Sequence, residues 1–203
     1  MGFSKFFSNL QEAPWYRKFL NPVLDEIEYD SHLLDIGTGS GKMLEILFNE
    51  KNVNCVGTDT NEDMLKEAEE KLRHTNAKLH HIPAGEELPF EKGSFDYVTI
   101  CSVLFHMKEK EIDHMLINSI HVLKDGGKII ILTPTGNGNM LKLTRHFFSL
   151  KNKGIYIWYR ATKNRARLWS KNQYLKQFAS KNKLKYESWI IMRGFAQLEI
   201  INK

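Results

Sequence analysis

The feature that most constrains this chain is a glycine-rich loop between an apolar run and a helical pattern. The run His32–Ile36 indicates a buried strand, the loop Gly37–Gly41 carries three glycines, and residues 42–50 have apolar side chains at helical spacing. Glycine lets the backbone turn sharply and approach a ligand closely. The helix that follows offers free N–H groups in its first turn. The sequence therefore predicts a ligand-binding loop at the carboxyl end of a strand.

The rest of the chain continues this alternation of strands and helices. Strand-like apolar runs at 53–58, 78–82, 95–103 and 128–133 alternate with helical patterns at 61–74 and 109–123. This order indicates βαβ units and a parallel sheet. We expect Ser170 to cap a late helix, and we expect the runs 184–192 and 195–201 to pair antiparallel. The predicted fold is a Rossmann-like α/β fold with a seven-stranded, mostly parallel sheet, an antiparallel closing strand and helices on both faces.

The length of 203 residues suits a single domain. We divide it into an N-terminal helical cap (1–30), a ligand-binding core (31–135), an insertion (139–169), and a closing helix with a strand pair (170–203). Two interpretations of the cap stay open, because its aromatic residues can either close over the ligand or pack into the core. These residues are Phe3, Phe6, Phe7, Trp15 and Tyr16.

The glycine loop fits one of three known patterns best. A Walker A loop would need glycine in place of Ile36 and Ser or Thr in place of Met43, so that pattern is excluded. A dinucleotide fingerprint would need a third glycine at Lys42, so that match is defective. The remaining pattern is G-x-G-x-G preceded by the acidic Asp35.

A second acidic residue, Asp59, ends the next predicted strand, 18 residues after Gly41. A carboxylate at that place can accept hydrogen bonds from both hydroxyl groups of a ribose. Because the dinucleotide glycine spacing is absent, the two features together favour a nucleoside ligand.

These segments resemble the class I S-adenosylmethionine-dependent methyltransferases, especially those that act on small molecules and lipid quinones. The resemblance is strongest over residues 30–135. The segments that carry it are LDIGTGSG at 34–41, GTD at 57–59, AGEELPF at 84–90, SFDYV at 94–98 and VLKDGGK at 122–128.

The resemblance implies S-adenosylmethionine as cofactor, S-adenosylhomocysteine as product, and a set of cofactor-binding residues. Ala84 stands where the family often has Asp, which leaves Glu86 or a backbone group to meet the adenine amine. The implied cofactor-binding residues are Asp35, Gly37, Thr38, Gly39, Gly41, Asp59, Thr60, Met64, Gly85, Glu86 and Cys101.

The segment after the fourth strand should face the reacting methyl group, since ligands bind beyond the carboxyl ends of the strands in such sheets. His106 in this segment is either a general base or a structural histidine. Cys101 follows Ile100 rather than proline, so we interpret it as a buried strand residue and not as a nucleophile. No histidines or cysteines have the spacing of metal ligands, and we expect no metal.

Charge divides the chain at residue 141. Residues 1–141 hold 14 Lys and Arg against 22 Asp and Glu, whereas residues 142–203 hold 15 against 2. The insertion interleaves aromatic and basic residues, which indicates either a lid over an anionic, partly apolar acceptor or a solvated basic face. The predicted acceptor-binding residues are Phe147, Tyr156, Trp158, Tyr159 and Arg160.

We therefore predict an enzyme that transfers a methyl group from S-adenosylmethionine to a small or lipid-like, anionic or aromatic acceptor. One alternative is an RNA or protein methyltransferase that docks through its basic C-terminal segment, and another is a non-catalytic cofactor-binding partner subunit. Contact with an anionic surface is a further prediction. With two cysteines, no apolar run long enough to span a bilayer and no recognisable signal peptide, we expect a cytoplasmic location.

Overall fold

The computed structural model describes residues 3–203, without the side chains of residues 3, 4, 6, 7 and 150. The two interpretations of the cap can therefore not be applied to Phe3, Phe6 and Phe7, which lie outside the described side chains. The chain begins with two helices, α1 (Phe3–Gln11) and α2 (Pro14–Asp25). It then alternates as β1 (His32–Ile36), α3 (Lys42–Lys51), β2 (Asn54–Asp59), α4 (Glu62–Leu72) and β3 (Lys78–His81).

The second half of the core contains β4 (Phe95–Cys101), a 3₁₀ turn (Leu104–His106), α5 (Glu109–Val122) and β5 (Leu123–Pro134). The remaining elements are α6 (Met140–Phe147), a 3₁₀ turn (Leu150–Asn152), α7 (Gly154–Asn172), α8 (Tyr174–Lys181), β6 (Lys185–Ile191), a 3₁₀ turn (Met192–Gly194) and β7 (Ala196–Asn202).

One seven-stranded sheet has the strand order β3-β2-β1-β4-β5-β7-β6. Strands β1 to β5 are parallel, and β7 is antiparallel to both of its neighbours. The predicted fold class is confirmed, including the antiparallel closing strand. From β1 the chain adds β2 and β3 on one side of the sheet, and β4 and β5 are then added on the other side. At such a switch point between β1 and β4, a crevice opens at the carboxyl ends of the two strands.

The core forms two apolar layers, one on each face of the sheet. Residues from α2, α3, α6 and α7 pack on one face, and residues from α5 and α8 pack on the other. Strand β5 is completely buried over Ile129–Leu132, as its continuous apolar run predicts. Helices therefore cover both faces, and the carboxyl edge of the parallel strands is left for a ligand site.

Two details differ from the predicted elements. Ser170 does not cap the late helix, because α7 continues through it to Asn172 and α8 begins only after Gln173 adopts a left-handed φ of 47°. The boundary predicted between the insertion and the closing helix thus falls inside one long helix. Strand β5 also begins earlier than predicted, since Leu123 already pairs with Phe95 across an irregularity in the ladder.

Candidate functional site

A cavity of about 580 Å³ opens at the carboxyl ends of β1, β2 and β4. This volume is typical of small-molecule sites, which measure roughly 300–1,000 Å³. All the predicted cofactor-binding residues except Gly41 line the cavity, and so does His106: Asp35, Gly37, Thr38, Gly39, Asp59, Thr60, Met64, Gly85, Glu86, Cys101 and His106.

The glycine loop lines part of the cavity, and at Gly37 it has no room for a side chain. Gly37 has a φ of +78°, and a Cβ atom there would overlap the side chain of Val103. The N–H groups of Gly37 and Thr38 donate to the carbonyl of Thr58, which fixes the loop against β2. The strand end and the loop therefore form one rigid surface.

Gly41 serves helix packing instead of the cavity. It is the N-cap residue of α3, with a φ of +76°, and a Cβ there would lie 2.7 Å from Leu72 Cδ1 and 3.2 Å from Ala68 Cβ. Any side chain at this position would push α3 away from α4. The prediction that Gly41 contacts the cofactor is therefore corrected to a packing role.

Asp59 ends β2 and links the loop to the start of α4. Its Oδ2 atom accepts a hydrogen bond from the Gly39 N–H at 2.8 Å, and its Oδ1 atom accepts one from the Asn61 N–H at 2.9 Å. Each carboxylate oxygen has two lone pairs, so both retain a free acceptor position. Asn61 in turn caps α4, because its side chain accepts hydrogen bonds from the N–H groups of Asp63 and Met64.

Asp35 is a nearly fully buried carboxyl group at the base of the cavity, with 3% of its surface exposed. Its Oδ1 atom accepts a hydrogen bond from Thr99 Oγ1 at 2.8 Å. Burial raises the pKa of Asp35 to about 6, and the nearby Asp59 carboxylate adds to the increase. A cationic ligand would lower this pKa again, so the site is electrostatically suited to a cation.

The N-terminal helices close the cavity from one side. Gln11 donates from Nε2 to the Tyr16 hydroxyl at 2.9 Å and accepts from the Ser40 hydroxyl. Glu12 forms ion pairs with Lys42 and Lys71, both at 2.6 Å. Gln11 and Tyr16 line the cavity. Trp15 instead is completely buried in the core, so each of the two interpretations of the cap holds for different residues.

His106 lies where the 3₁₀ turn after β4 meets α7. Arg165 on α7 donates from Nη1 to His106 Nδ1 at 2.9 Å. A guanidinium group can only donate, so Nδ1 must be the acceptor and the neutral ring carries its proton on Nε2. Burial and the positive charge of Arg165 lower the pKa of His106. The imidazole is thereby held as a neutral hydrogen-bond donor, which does not fit the predicted general base.

Ser102 and Cys101 complete the end of β4. Ser102 has a left-handed φ of +61°, a strained conformation that is typical of functional sites. Its hydroxyl is buried and makes no hydrogen bond within the described part of the chain. Burial raises the pKa of the Cys101 thiol well above its usual range, which supports the view that it is no nucleophile.

Of the predicted acceptor-binding residues, only Trp158 reaches the cavity. Tyr159 is buried and donates its hydroxyl to the Gly138 carbonyl at 2.7 Å. Phe147 packs edge-to-face on Phe195 with a centroid separation of 5.9 Å. Tyr156 packs against the core, and Arg160 is exposed away from the cavity. The structure therefore does not bring the other four into this cavity: Tyr156 and Tyr159 on α7 and Phe147 on α6 pack against other parts of the chain, and Arg160 is exposed.

Several cavity residues were not predicted. Helix α5 was assigned correctly, but nothing in its local pattern shows which of its polar residues face the ligand. Gln11 is polar within an otherwise apolar stripe, which was a usable signal. The unpredicted lining residues include Gln11, Leu20, Met43, Asn61, Ser102, Met107, Glu111, His114, Met115 and Asn118.

Among the side chains described within residues 3–203, no cluster of three or more His, Cys, Asp or Glu residues is placed so that it could hold a metal ion. Within the same range, no helix combines the length and the apolar character needed to cross a bilayer.

The Rossmann-like sheet, the glycine loop and the acidic residue that ends β2 are the features that comparison with known proteins can test. Residues 33–127 match the family described as "Methyltransferase domain". The chain is 32% identical over 126 residues to the ubiquinone/menaquinone biosynthesis C-methyltransferase UbiE of Rickettsia massiliae. That alignment covers 58% of this chain and 49% of the relative, so the chain spans about half the length of the curated relatives it matches.

Solved structures share the whole fold. A putative S-adenosyl-L-methionine-dependent methyltransferase from Methanococcus maripaludis superimposes with a TM-score of 0.70 at 16% identity, covering 98% of this chain and 91% of that one. A SAM-dependent methyltransferase from Aquifex aeolicus does so with a TM-score of 0.66 at 13% identity, covering 100% and 99%. These structures share the fold of this chain, and residues 33–127 are the part that matches the methyltransferase-domain family.

Proposed function

We propose that this chain binds S-adenosylmethionine in the cavity at the carboxyl ends of β1, β2 and β4 and transfers its methyl group to a small, lipid-like or aromatic acceptor. The observation that carries the proposal is that a glycine-rich loop and two acidic residues, Asp35 and Asp59, line the same cavity. Gly37 and Gly39 allow close backbone approach, Asp59 has free acceptor positions for ribose hydroxyls, and buried Asp35 favours a cation.

When bound, the cofactor supplies a methyl group on a positively charged sulfur, which is the reactive part of the chemistry. The protein's own contribution is to align the acceptor and exclude water. Tyr16 and Trp158 supply aromatic surface to the cavity lining, and Val103 adds an apolar contact. His106 is proposed to donate from Nε2 to an oxygen of the acceptor, because its Nδ1 atom is already occupied by Arg165.

An aromatic acceptor that carries an apolar chain would suit these walls. The curated relatives are named as C-methyltransferases of ubiquinone and menaquinone biosynthesis, and we extend that acceptor class to this chain as part of the proposal. We further propose a reducing, cytoplasmic location, which the two free cysteines support.

Titration calorimetry with S-adenosylmethionine and S-adenosylhomocysteine tests the proposal. Asp59→Ala should weaken binding at least about tenfold, because charged hydrogen bonds contribute about 1.5–3 kcal/mol. Glu62→Ala is the matched control, since Glu62 is the neighbouring acidic residue on α4 and does not line the cavity.

Failure of both compounds to bind would refute the proposal, and unchanged affinity in Asp59→Ala would refute the ribose assignment. Tight binding without transfer to any quinone precursor, RNA or protein acceptor would favour a non-catalytic partner subunit.

A further inference from the structure

Helix α6 presents an apolar stripe to solvent, in contrast to the surface helices of most monomeric domains. Leu141 is 80% exposed and Phe148, the residue that ends the helix, is 75% exposed. They are seven residues apart, so they lie on one side of the helix two turns from each other. The opposite side is anchored, because Leu143 is completely buried and Phe147 packs on Phe195.

Cations border this stripe. Lys142 and Arg145 are exposed on α6, and Arg193 is exposed on the turn between β6 and β7. Desolvation and the charges of Arg193, Arg145 and Lys142 lower the pKa of His146. None of the salt bridges found among residues 3–203 involves any of the three.

Neighbouring acidic residues do not neutralise this surface. Residues 142–203 contain only two, Glu187 and Glu199. Glu187 pairs with Lys185 at 3.1 Å, and Glu199 is buried beneath Tyr186. Arg145 and Arg193 therefore have no ion-pair partner among the described residues, and the ammonium group of Lys142 lies 5.9 Å from the centroid of the Phe195 ring.

The exposed surface of α6 and the β6–β7 turn lies at the same edge of the sheet as the cavity. Five residues separate the end of β5 from the start of α6, and the β6–β7 turn lies beside that strand end, where Thr135 N–H donates to the Phe195 carbonyl at 3.0 Å. Carboxyl ends of parallel strands share one edge of the sheet, so the surface lies on the same edge as the cavity.

We propose that Leu141, Phe148, Lys142, Arg145 and Arg193 form a docking surface for an anionic lipid bilayer. Side chains of this mixture suit the interface of a bilayer, where apolar groups enter the acyl boundary and cations meet anionic head groups. A nucleic acid would satisfy the cations and leave the fully exposed leucine without a partner. Docking in this orientation turns the sheet edge that holds the cavity toward the membrane. The proposal is independent of the methyltransferase function.

Co-sedimentation of the full chain with vesicles tests the proposal without cofactor or acceptor. Vesicles of phosphatidylcholine with about a third phosphatidylglycerol should bind the chain, whereas vesicles of phosphatidylcholine alone should not, and added salt should weaken binding. Lys142→Ala with Arg145→Ala should weaken it about 30-fold, since each surface cation contributes about 1 kcal/mol. Leu141→Ser with Phe148→Ser should weaken it at least about tenfold.

Matched controls use exposed residues on other helices. Ile117→Ser on α5, where Ile117 is 55% exposed, and Lys176→Ala on α8 should leave vesicle binding unchanged. Thermal melting of each variant shows whether it is folded. Absence of binding to the anionic vesicles would overturn the proposal. A second outcome would also overturn it. If Leu141→Ser with Phe148→Ser bound vesicles like the unmodified chain, and Lys142→Ala with Arg145→Ala lost binding to vesicles and to an RNA probe equally, charge alone would explain the binding.

Discussion

Replacing Asp35 by asparagine should make the protein more stable and the cofactor site weaker. The pKa of Asp35 is raised from 3.8 to about 6 by burial. As the pH rises from about 4 to about 6, the unfolded chain loses this proton and the folded chain keeps it. Ionisation is thus disfavoured in the folded state, and stability falls across this interval and stays lower above it.

The size of this effect follows from the same pKa values. A difference of about 2 pKa units corresponds to about 3 kcal/mol at about pH 8. Asparagine removes the charge and keeps an oxygen that can accept from Thr99 Oγ1. The buried asparagine amide also has N–H groups, and a buried N–H without a hydrogen-bond acceptor lowers the free energy of unfolding by about 1 kcal/mol. We expect Asp35→Asn to gain about 2 kcal/mol in free energy of unfolding at about pH 8 and to be slightly less stable than the unmodified chain at about pH 4, where Asp35 is already protonated in the folded state.

Urea denaturation at the two pH values measures the stability, and titration calorimetry with S-adenosylhomocysteine measures the site. The variant should bind at least about tenfold more weakly if, as the proposed function holds, the Asp35 carboxylate stabilises a positively charged group of the bound compound. Asp96→Asn is a contrasting control. Hydrogen bonds from Lys124 and the His32 N–H outweigh burial and lower the pKa of Asp96, so its loss should reduce stability at about pH 8. A variant of Asp35 that is less stable at about pH 8, or that binds unchanged, would refute this reasoning.

Three further changes test other parts of the structure. Burial raises the pKa of Glu199 to about 7, and its Oε2 atom has no hydrogen-bond partner among the described residues. Glu199→Gln should therefore raise the melting temperature above about pH 7 and leave it unchanged below about pH 4.5. Equal gains at both pH values would contradict this prediction. Gly41→Ala should cost about 1–3 kcal/mol in urea denaturation through its left-handed φ and its contact with Leu72, and full stability would exclude the packing role. Arg165→Met should raise the pKa of His106, which nitrogen NMR can measure by titration. An unchanged pKa would show that the two side chains do not interact in solution.

The contact between Arg165 and His106 shows where prediction from sequence ends. The two residues are separated by 59 positions, and each lies in a segment whose local pattern was recognised. A helical pattern shows which residues share a face, but not which face meets the loop after β4. For the same reason Trp158 reaches the cavity, while Tyr159, one residue later, turns to the core and bonds to Gly138.

The sequence by itself determined the alternation of strands and helices, the parallel sheet and the ligand-binding edge. These features depend on local periodicity, on glycine at Gly37 and Gly39, and on Asp59 following a strand, all of which are readable within short windows. Tertiary structure alone decided that Gly41 separates two helices, that Gln11 and Tyr16 close the site, and that Leu141 and Phe148 stay exposed. These outcomes depend on packing between distant segments, where an apolar or aromatic side chain has several surfaces it could cover and only the assembled core selects among them.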